Sequence, residues 1–275
     1  MNKEGIARQI GEKFSSLHYE LSLHYTETAH HASALAKEAV RNRAEIVVAV
    51  GGDGSVNEIS QALIGSETLL AIIPTGSGNG LARYLNIPLD RGAAIETIQK
   101  GKVETIDTIC VNDRFYLGFA GIGFDAEVAW AFSEFGYRGF LSYLLLTLNK
   151  FPLYQPITYQ LIIDGIHITR EAFLICFANS SQFGNGAFIA PTAKIDDGYV
   201  DVVILKKFPF SAATRLATQL FNRTLHLSKY VEIIKCKEIL INQPHLKAHI
   251  DGEPVFFPNG LRLQVVPSSL KILVP

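Results

Sequence analysis

The chain has 275 residues, of which 48% are hydrophobic and 19% are charged, and its 25 basic and 26 acidic side chains nearly cancel. This composition excludes an intrinsically disordered chain and a protein that binds nucleic acid through a strongly basic surface. The length suits one large domain or two small ones. Three widely separated cysteines, Cys110, Cys176 and Cys236, give neither a zinc spacing nor a disulfide framework. They favour a reducing compartment.

The sequence contains no stretch typical of a signal peptide or a membrane-spanning helix. Its start, MNKEGIARQI, lacks the apolar core of a signal peptide. The most apolar runs, Phe140–Leu148 and Ala172–Ala178, are much shorter than the ~20 residues that cross a bilayer. We therefore predict a cytoplasmic protein without a transmembrane segment.

Helical and strand patterns alternate up to about residue 105. Apolar residues at helical spacing predict helices, and short β-branched runs predict buried parallel strands. The predicted elements are the helices Ala29–Arg43, Val56–Leu63 and Leu81–Leu85 and the strands Glu45–Val50 and Leu69–Pro74. The repeated order of strand, loop and helix is typical of an open α/β layer.

From about residue 106 onward, short strands follow one another, separated by Asp-Gly, Asn-Gly or proline signals. They are Ile157–Ile163, Ile166–Ala178, Tyr199–Leu205, Tyr230–Asn242, Leu246–Ile250, Val255–Phe257, Leu261–Val266 and Leu270–Val274. Helical insertions are predicted near Asp125–Lys150 and Ser211–Ser228. This pattern predicts an antiparallel sandwich or barrel. We predict domains over 1–105 and 106–275, with a last strand that can return to the first domain.

Two glycine-rich loops each follow a predicted strand and precede a predicted helix. The first reads GGDGSVNE from Gly51, and the second reads PTGSGNG from Pro74. Glycines let backbone N–H groups approach an anion, and a helix N-terminus adds partial positive charge. Ligands of open α/β sheets bind at the carboxyl ends of strands, so two such loops can hold a polyphosphate between them.

Asp53 distinguishes the first loop from an ordinary tight turn, which is the alternative interpretation of both loops. A carboxylate repels a phosphate unless a cation bridges the two groups, so its presence suggests Mg²⁺. Neither loop has the GK[ST] ending of a Walker A loop.

GGDGSVNE followed by PTGSGNGLAR resembles the diacylglycerol kinase catalytic domain family, which includes bacterial lipid kinases, diacylglycerol kinases and sphingosine kinases. The resemblance covers the chain from about Thr26 to Glu253. It implies an α/β nucleotide-binding domain, shared with NAD kinases and the phosphofructokinase-like fold, and a C-terminal antiparallel β-sandwich that binds lipid. It also implies ATP and Mg²⁺ as the ligands of the glycine loops.

The family's functional residues have counterparts in this chain. The nucleotide contacts implied by the resemblance are Thr26, Gly51, Gly52, Asp53, Gly54, Ser55, Val56, Asn57 and Ser77. Thr26 can also be a helix N-cap. A structural Mg²⁺ site is implied at the carboxylate of Asp197 and the backbone carbonyls of Lys194 and Tyr199. An Asp-Gly turn before a strand explains the same segment without a metal.

Asp251-Gly252-Glu253 matches the family's Asp-Gly-Glu, in which the glutamate acts as general base. Asp-Gly between two apolar runs is also a strong hairpin signal, and Asp164-Gly165 is such a hairpin, to which we assign no function. The resemblance implies Glu253 and Asp53 as catalytic residues. The hairpin signal by itself gives Glu253 no catalytic role.

The chain departs from the family in two places. Relatives begin with a strand and an Asn-Pro-x-Ser-Gly loop, for which this sequence has no counterpart before Thr26. Many bacterial diacylglycerol kinases also have an aspartate where this chain has Gly80. A Mg²⁺-linked water network that uses that acid must differ here.

Gly121–Ala126 matches G-x-G-x-x-A after a predicted strand, Phe115–Ala120, and supports an NAD(P)-dependent oxidoreductase as the alternative. No acid lies ~20 residues further on, where the dinucleotide fingerprint needs one. In the family this segment lies near the lipid pocket, so Asp125 can contact a substrate hydroxyl, or it can simply begin a helix. Tyr137–Phe151 is an apolar helix that is either buried or in contact with a bilayer.

We therefore predict an ATP-dependent lipid kinase that transfers the γ-phosphate to the hydroxyl of a diacylglycerol, a sphingoid base or a similar lipid alcohol. The predicted partner is a lipid substrate at a membrane surface, where the enzyme binds peripherally, and no nucleic acid is involved. The sequence does not decide the oligomeric state, for which a homodimer is one candidate. The remaining alternative is a non-catalytic lipid-binding protein.

Overall fold

The computed structural model describes residues 3–14, 19–28, 30–135 and 140–275. The helices of the described chain are Lys3–Phe14 (α1), His31–Arg41 (α2), Asp53–Leu63 (α3), Gly80–Tyr84 (α4), Arg91–Lys100 (α5), Phe124–Glu134 (α6), Phe140–Lys150 (α7) and Ala213–Phe221 (α8). Short 3-10 turns occur at Phe151–Leu153, Phe210–Ala212 and Leu225–Leu227.

The strands fall into two sheets. In chain order they are Ile46–Gly51 (β1), Leu69–Pro74 (β2), Lys102–Val111 (β3), Arg114–Tyr116 (β4), Phe119–Gly123 (β5), Ile157–Ile163 (β6), Ile166–Ala172 (β7), Leu174–Ala178 (β8), Val200–Leu205 (β9), Val231–Cys236 (β10), Glu238–Ile241 (β11), Leu246–Ile250 (β12), Glu253–Phe257 (β13) and Leu261–Val274 (β14). The predicted fold class, an α/β layer followed by an antiparallel sandwich, is confirmed.

The α/β layer is built on the parallel pair β1 and β2, which runs from Ile46 opposite Leu69 to Gly51 opposite Pro74. Side chains of β2 alternate between its two faces. Leu70 and Ile72 pack with α2 and α3, whereas Ala71 and Ile73 pack with α1 and α5. Both faces of the pair are therefore covered by helices, which explains its continuous apolar sequence.

Helix α3 begins three residues earlier than the sequence predicts. Gly52 is its extended N-cap residue, and the Val56 N–H donates to the Gly52 carbonyl at 3.0 Å. Asp53 through Asn57 therefore lie in the first turns of a helix instead of in a loop. The apolar periodicity begins only at Val56, so it missed the polar first turn. Helix α2, in contrast, begins later than predicted, at His31, and Ala29, the predicted first residue, lies outside the described residues.

Strand β14 belongs to the same sheet as β1 and β2. The eight-stranded sheet has the order β1-β2-β14-β11-β6-β7, with β3 paired to β14 and β4 paired to β3. Ile272 lies opposite Leu70 in parallel pairing, and β3 is antiparallel to β14 along most of its length. Residue 105, where the sequence predicts a domain boundary, lies inside β3. The division into two domains stays a prediction.

Several predicted strands have different bounds in the structure. The predicted strands 261–266 and 270–274 are one strand, β14, with an irregularity between Val266 and Leu270. The runs 166–178 and 230–242 each form two strands that lie in different sheets. The breaks fall at Phe173 and Lys237, where the chain passes from one sheet to the other. An apolar run alone does not reveal this change of sheet.

The second sheet has the order β10-β9-β8-β5-β12-β13, and all its pairs are antiparallel. It packs against the antiparallel part of the first sheet through one core, in which Ile109 and Leu263 of the first sheet join Phe177 and Val202 of the second. The helical insertion predicted over 125–150 forms α6 and α7, and its residues 136–139, with Tyr137 among them, lie outside the described chain.

Ile272 tests the role of β14 as the strand that joins the two parts of the sheet. Its backbone lies between β2 and β3, and its side chain is fully buried in the core that these strands form with α2 and α3. Ile272→Ala should lower the free energy of unfolding in urea titrations by about 2–5 kcal/mol, because it leaves a cavity in the core. Gln264→Ala, on the exposed side of the same strand, should change it by less than about 0.5 kcal/mol. Equal effects of the two substitutions would contradict this role.

Candidate active site

The two glycine loops touch each other at the carboxyl ends of β1 and β2. A Cβ atom at Gly76 would lie 2.6 Å from the Cα atom of Gly52, and one at Gly52 would lie 3.0 Å from the Cα atom of Gly76. Side chains at either position would force the loops apart. The glycines therefore let two backbone segments share the space at one edge of the sheet.

Asp53 joins the first loop to the second. Its Oδ1 atom accepts a hydrogen bond of 2.7 Å from the N–H of Gly80, the first residue of α4. Its Oδ2 atom lies 2.9 Å from the position of a Cβ atom at Gly78. Asn79 closes the second loop, because its side chain both accepts from the Gly76 N–H and donates to the Gly76 carbonyl. The carboxylate of Asp53 is thus held between the loops.

A hairpin of the second sheet approaches the first loop from the opposite side. Asp251 and Gly252 join β12 to β13 with positive φ angles of 46° and 84°, as expected for the central residues of a tight type I′ turn. The Asp251 carboxylate turns back into the protein. There it accepts hydrogen bonds from the N–H groups of Leu117, Gly118 and Phe119.

The pKa of Asp251 is raised to about 6, chiefly by burial and also by the nearby charge of Asp53, while the three backbone hydrogen bonds oppose the shift. Close packing demands glycine at position 118, since a Cβ atom there would lie 2.7 Å from the Asp251 carboxylate. The Asp-Gly sequence therefore forms a hairpin, as its turn chemistry predicts, and its aspartate also fixes the hairpin to the turn between β4 and β5.

Glu253 begins β13 directly after this turn, and its side chain is exposed. Its Oε1 atom lies 3.4 Å from the position that a Cβ atom would take at Gly54. The carboxylate of Glu253 therefore faces Gly54 in the first turn of α3, the residue that follows Asp53 in the chain. The hairpin and the first loop, which are distant in the sequence, thus face each other across a cleft.

A narrow cavity of about 60 Å³ lies within this cleft. Its walls are formed by Asp53, Val56, Asn57, Gly80, Leu81, Leu117, Gly118, Phe119, Ser180, Gln182, Phe183 and Asp251. The Asn57 Oδ1 atom and the Ser180 Oγ atom are buried there without a hydrogen-bond partner. Unpaired buried polar atoms are costly, so they indicate a polar ligand or water in the cleft.

Known families match nearly the whole chain. Residues 2–111 match the model of the diacylglycerol kinase catalytic domain, and residues 118–274 match the model of the YegS C-terminal NAD kinase beta sandwich-like domain. This chain belongs to the diacylglycerol kinase family of lipid kinases. It is an ATP-dependent phosphotransferase with an alcohol acceptor.

Individual relatives agree with this family. A probable lipid kinase YegS-like of Chromohalobacter salexigens is 31% identical over 251 residues, which cover 88% of this chain and 79% of the relative. A diacylglycerol kinase of Bacillus subtilis is 29% identical over 251 residues, which cover 89% of this chain and 83% of the relative. A solved structure of a putative diacylglycerol kinase from Bacillus anthracis has a TM-score of 0.83 at 20% identity, covers 100% and 91% of the two chains, and shows the shared fold.

The nucleotide contacts expected of a diacylglycerol kinase lie mostly around the cleft and stay predictions. Gly51 to Asn57 surround the start of α3, although the Val56 side chain packs in the core and its N–H already donates to the Gly52 carbonyl. Ser77 is exposed in the second loop. Thr26 is exposed in a segment outside the helices and strands, and it does not cap α2, because the N-cap residue of α2 is His30.

The loop expected to hold a structural Mg²⁺ does not fit a cation as it stands. Asp197, its only predicted carboxylate ligand, accepts from the ammonium group of Lys235 at 2.7 Å and from the Tyr199 N–H at 3.1 Å. The same ammonium group lies 3.0 Å from the buried carboxylate of Asp201. Within the described residues, no three His, Cys, Asp or Glu side chains form a group that could hold a metal. The roles of Lys194, Asp197 and Tyr199 as metal ligands stay predictions.

Asp125 is buried and paired with His249, whose Nε2 atom lies 3.1 Å from the Asp125 Oδ2 atom. Its Oδ1 atom accepts from the Ala126 N–H at the start of α6. Gly121 makes this pair feasible, because a Cβ atom there would lie 2.1 Å from the Asp125 carboxylate. A contact between Asp125 and a lipid hydroxyl stays a prediction.

The alternative dinucleotide site is not favoured. Gly121–Gly123 do not form a loop but lie in β5, which pairs with β8 on one side and β12 on the other. The Phe124 N–H, at the start of α6, donates to the Phe173 carbonyl. The predicted strand 115–120 is in fact two strands, β4 and β5. Backbone N–H groups of this segment therefore already have partners.

Two buried residues of the site region were not identified from the sequence. Asp107 accepts from the N–H groups of Gly198 and Ser268, both at 2.7 Å, and so ties the 194–199 loop to β14. His249 has an unpaired Nδ1 atom in the core. An aspartate inside the apolar run TIDTICV is the one signal in the sequence that could have identified Asp107. Nothing near His249 in the sequence points to Asp125.

Asp251 gives a prediction for the pH dependence of stability. Its folded-state pKa of about 6 exceeds the ordinary 3.8, so the folded state binds the proton more tightly than the unfolded state. Its contribution to the free energy of unfolding is therefore greatest below about pH 4 and falls as the pH rises to about 6. The wild-type free energy minus that of Asp251→Asn should fall by about 2–3 kcal/mol across this window. Urea titrations at a series of pH values measure it, and a constant difference would contradict the raised pKa.

Proposed function

We propose that the cleft between the glycine loops and the Asp251–Glu253 hairpin transfers the γ-phosphoryl group of ATP to the hydroxyl group of a diacylglycerol. The observation that carries this proposal is the position of the Glu253 carboxylate opposite Gly54, beside the loops that are built to receive phosphates. The choice of diacylglycerol as acceptor is supported by the names of the relatives, among them the diacylglycerol kinase of Bacillus subtilis.

The triphosphate of ATP lies along the two touching loops in this proposal. The N-terminus of α3 offers backbone N–H groups and partial positive charge there, and the close contact of Gly52 with Gly76 leaves the backbone accessible. The unpaired Asn57 and Ser180 side-chain oxygens supply further hydrogen-bonding positions. These groups bind and orient the nucleotide, and orientation accounts for much of the catalysis in phosphoryl transfer.

Asp53 is the residue that would hold Mg²⁺. Its Oδ1 atom is occupied by the Gly80 N–H, but its Oδ2 atom points into the space beside Gly78. A carboxylate oxygen suits this hard cation. When bound, Mg²⁺ would neutralise the charge of the phosphate oxygens. Gly80 here, where many relatives have aspartate, leaves Asp53 as the acidic residue between the two loops.

Glu253 acts as the general base. It accepts the proton of the lipid hydroxyl as that oxygen forms its bond to the γ-phosphorus, and the bond from phosphorus to the β–γ bridging oxygen breaks to release ADP. The Asp251 anchor holds Glu253 in place without contacting the reacting atoms. Asp251 is therefore a positioning residue.

The lipid substrate places the reaction at a membrane surface, where the protein binds peripherally in this proposal. No helix within the described residues is long and apolar enough to cross a bilayer.

Glu253→Gln tests the general base directly. Glutamine is nearly isosteric, so the thermal stability and ATP affinity should be unchanged, whereas the turnover number should fall by about 10²-fold or more because the amide cannot accept the proton. Asp164→Asn is the matched control. Asp164 lies in the same kind of turn, with φ 47°, and accepts from the N–H groups of Lys237 and Glu238, far from the cleft. Full activity of both variants would show that Glu253 is not the base.

Asp53→Asn tests the proposed metal-binding carboxylate. The amide oxygen can still accept from the Gly80 N–H, so the loops should keep their structure and the melting temperature should change little. Turnover should fall by about 10²–10³-fold because charge that stabilises the transition state is lost. A kinase assay over a range of Mg²⁺ concentrations measures this effect. Wild-type turnover with unchanged Mg²⁺ dependence would contradict the role of Asp53.

A further inference from the structure

Charge is distributed unevenly along this nearly neutral chain. Residues 135–163 and 202–231 together contain seven lysines and arginines and no aspartate or glutamate. The rest of the chain then has 18 basic and 26 acidic residues. The overall charge of −1 thus hides two positively charged segments in an otherwise acidic protein.

The two segments come together in the structure around one aromatic cluster. The ring of Phe151 lies 5.5 Å from that of Phe208 and 5.9 Å from that of Phe210. The ring of Phe208 lies 6.1 Å from that of Tyr230. The turn after α7 therefore packs against the segment before α8, and Leu146 of α7 joins the same apolar cluster. Together these elements form one surface. We call it the basic apolar face and define it by Leu148, Lys150, Leu153, Lys206, Lys207 and Phe210.

Large apolar side chains project from this face. Leu153 is 82% exposed, Phe210 is 77% exposed and Leu148 is 61% exposed. These three are among the most exposed large apolar residues of the described chain, and they do not pack in its core. Lys207 is exposed beside them, and Lys206 is partly exposed while it pairs with Glu232.

The face is connected to the catalytic cleft by packing. The apolar cluster that contains Phe151 and Phe208 also contains Phe119 and Phe183. The last two residues form part of the cavity wall beside Asp53. The face and one wall of the cleft therefore belong to the same packed apolar cluster.

We propose that the basic apolar face docks onto the surface of an anionic phospholipid bilayer. This inference rests on the proposed function, since it supplies the surface from which that site takes its substrate. Exposed leucine and phenylalanine side chains enter the boundary between head groups and acyl chains, and lysines around them pair with lipid phosphates. A second copy of this chain is a poor occupant, because it would bring together two positively charged surfaces whose segments contain no aspartate or glutamate.

Sedimentation with vesicles tests docking without any kinase reaction. The full chain, without ATP, is mixed with vesicles of phosphatidylcholine alone or with added phosphatidylglycerol. We expect binding to the anionic vesicles to be at least about tenfold stronger, and weakened by salt. The double variant Leu153→Ser with Phe210→Ser should lose at least about tenfold in affinity, and so should Lys207→Glu.

Two variants elsewhere serve as matched controls. Ile166→Ser removes a comparably exposed apolar side chain, 67% exposed, at the edge of the eight-stranded sheet. Lys37→Glu reverses an exposed charge on α2. Both should bind vesicles like the wild type. Three results would each overturn the proposal. They are equal losses of vesicle affinity in face variants and controls, equal binding to neutral and anionic vesicles, and self-association that Phe210→Ser abolishes.

Phosphorylation of a short-chain diacylglycerol dissolved as monomers separates this proposal from the proposed function. The face variants should keep wild-type turnover on that substrate and lose it on vesicles. A wild-type chain that phosphorylates the dissolved substrate but does not bind anionic vesicles would refute the docking face alone. A chain that binds the vesicles through this face but phosphorylates neither substrate would refute the proposed function alone.

Discussion

The arrangement of the site depends on one buried carboxylate. Asp251 accepts three backbone hydrogen bonds from the turn between β4 and β5, and it lies at the tip of the hairpin that bears Glu253. A carboxylate taken out of water needs such hydrogen-bond partners. Moving the hairpin away would break these hydrogen bonds and leave the carboxylate or the N–H groups unpaired, which costs much free energy. The raised pKa of Asp251 shows that these hydrogen bonds do not fully offset the free-energy cost of burying the charge. In return, the position of Glu253 is fixed.

The glycine loops lie across the cleft from this hairpin, and β14 of the eight-stranded sheet links the two sides. Strand β14 pairs with β2, whose end carries the second loop, and it also pairs with β3, which leads through β4 into the turn that Asp251 holds. The nucleotide loops and the hairpin thus belong to one continuous framework. A rigid framework of this kind suits phosphoryl transfer, in which positioning matters more than covalent chemistry.

Local signals in the sequence were sufficient for the elements that depend on local physics. The strand Leu69–Pro74 and both Asp-Gly hairpins follow from a β-branched run and from turn chemistry, and the structure has them at those residues. The change of sheet at Phe173 and at Lys237 could not be predicted, because an apolar run looks the same on either side of it. The pair of Asp125 and His249 depends on packing between residues 124 positions apart.

The same distinction between local patterns and long-range contacts applies to the residues of the candidate site. Its glycines and Asp53 were found because the loops carry a recognisable pattern, and the family resemblance pointed to Glu253. The anchoring role of Asp251 and the burial of Asp107 depend on backbone N–H groups from distant segments, which no local pattern reveals. The ammonium group of Lys235 at the expected metal loop is a further long-range contact of this kind.

The central claim is that this cleft moves a phosphoryl group from ATP to a lipid hydroxyl. The most direct measurement is to incubate the chain with γ-labelled ATP, Mg²⁺ and diacylglycerol in anionic vesicles, and then to identify the labelled product by mass spectrometry. The account predicts label in phosphatidic acid, formed in equal amount to ADP. Label found only in inorganic phosphate, or ATP that remains unconsumed with every lipid alcohol offered, would contradict it.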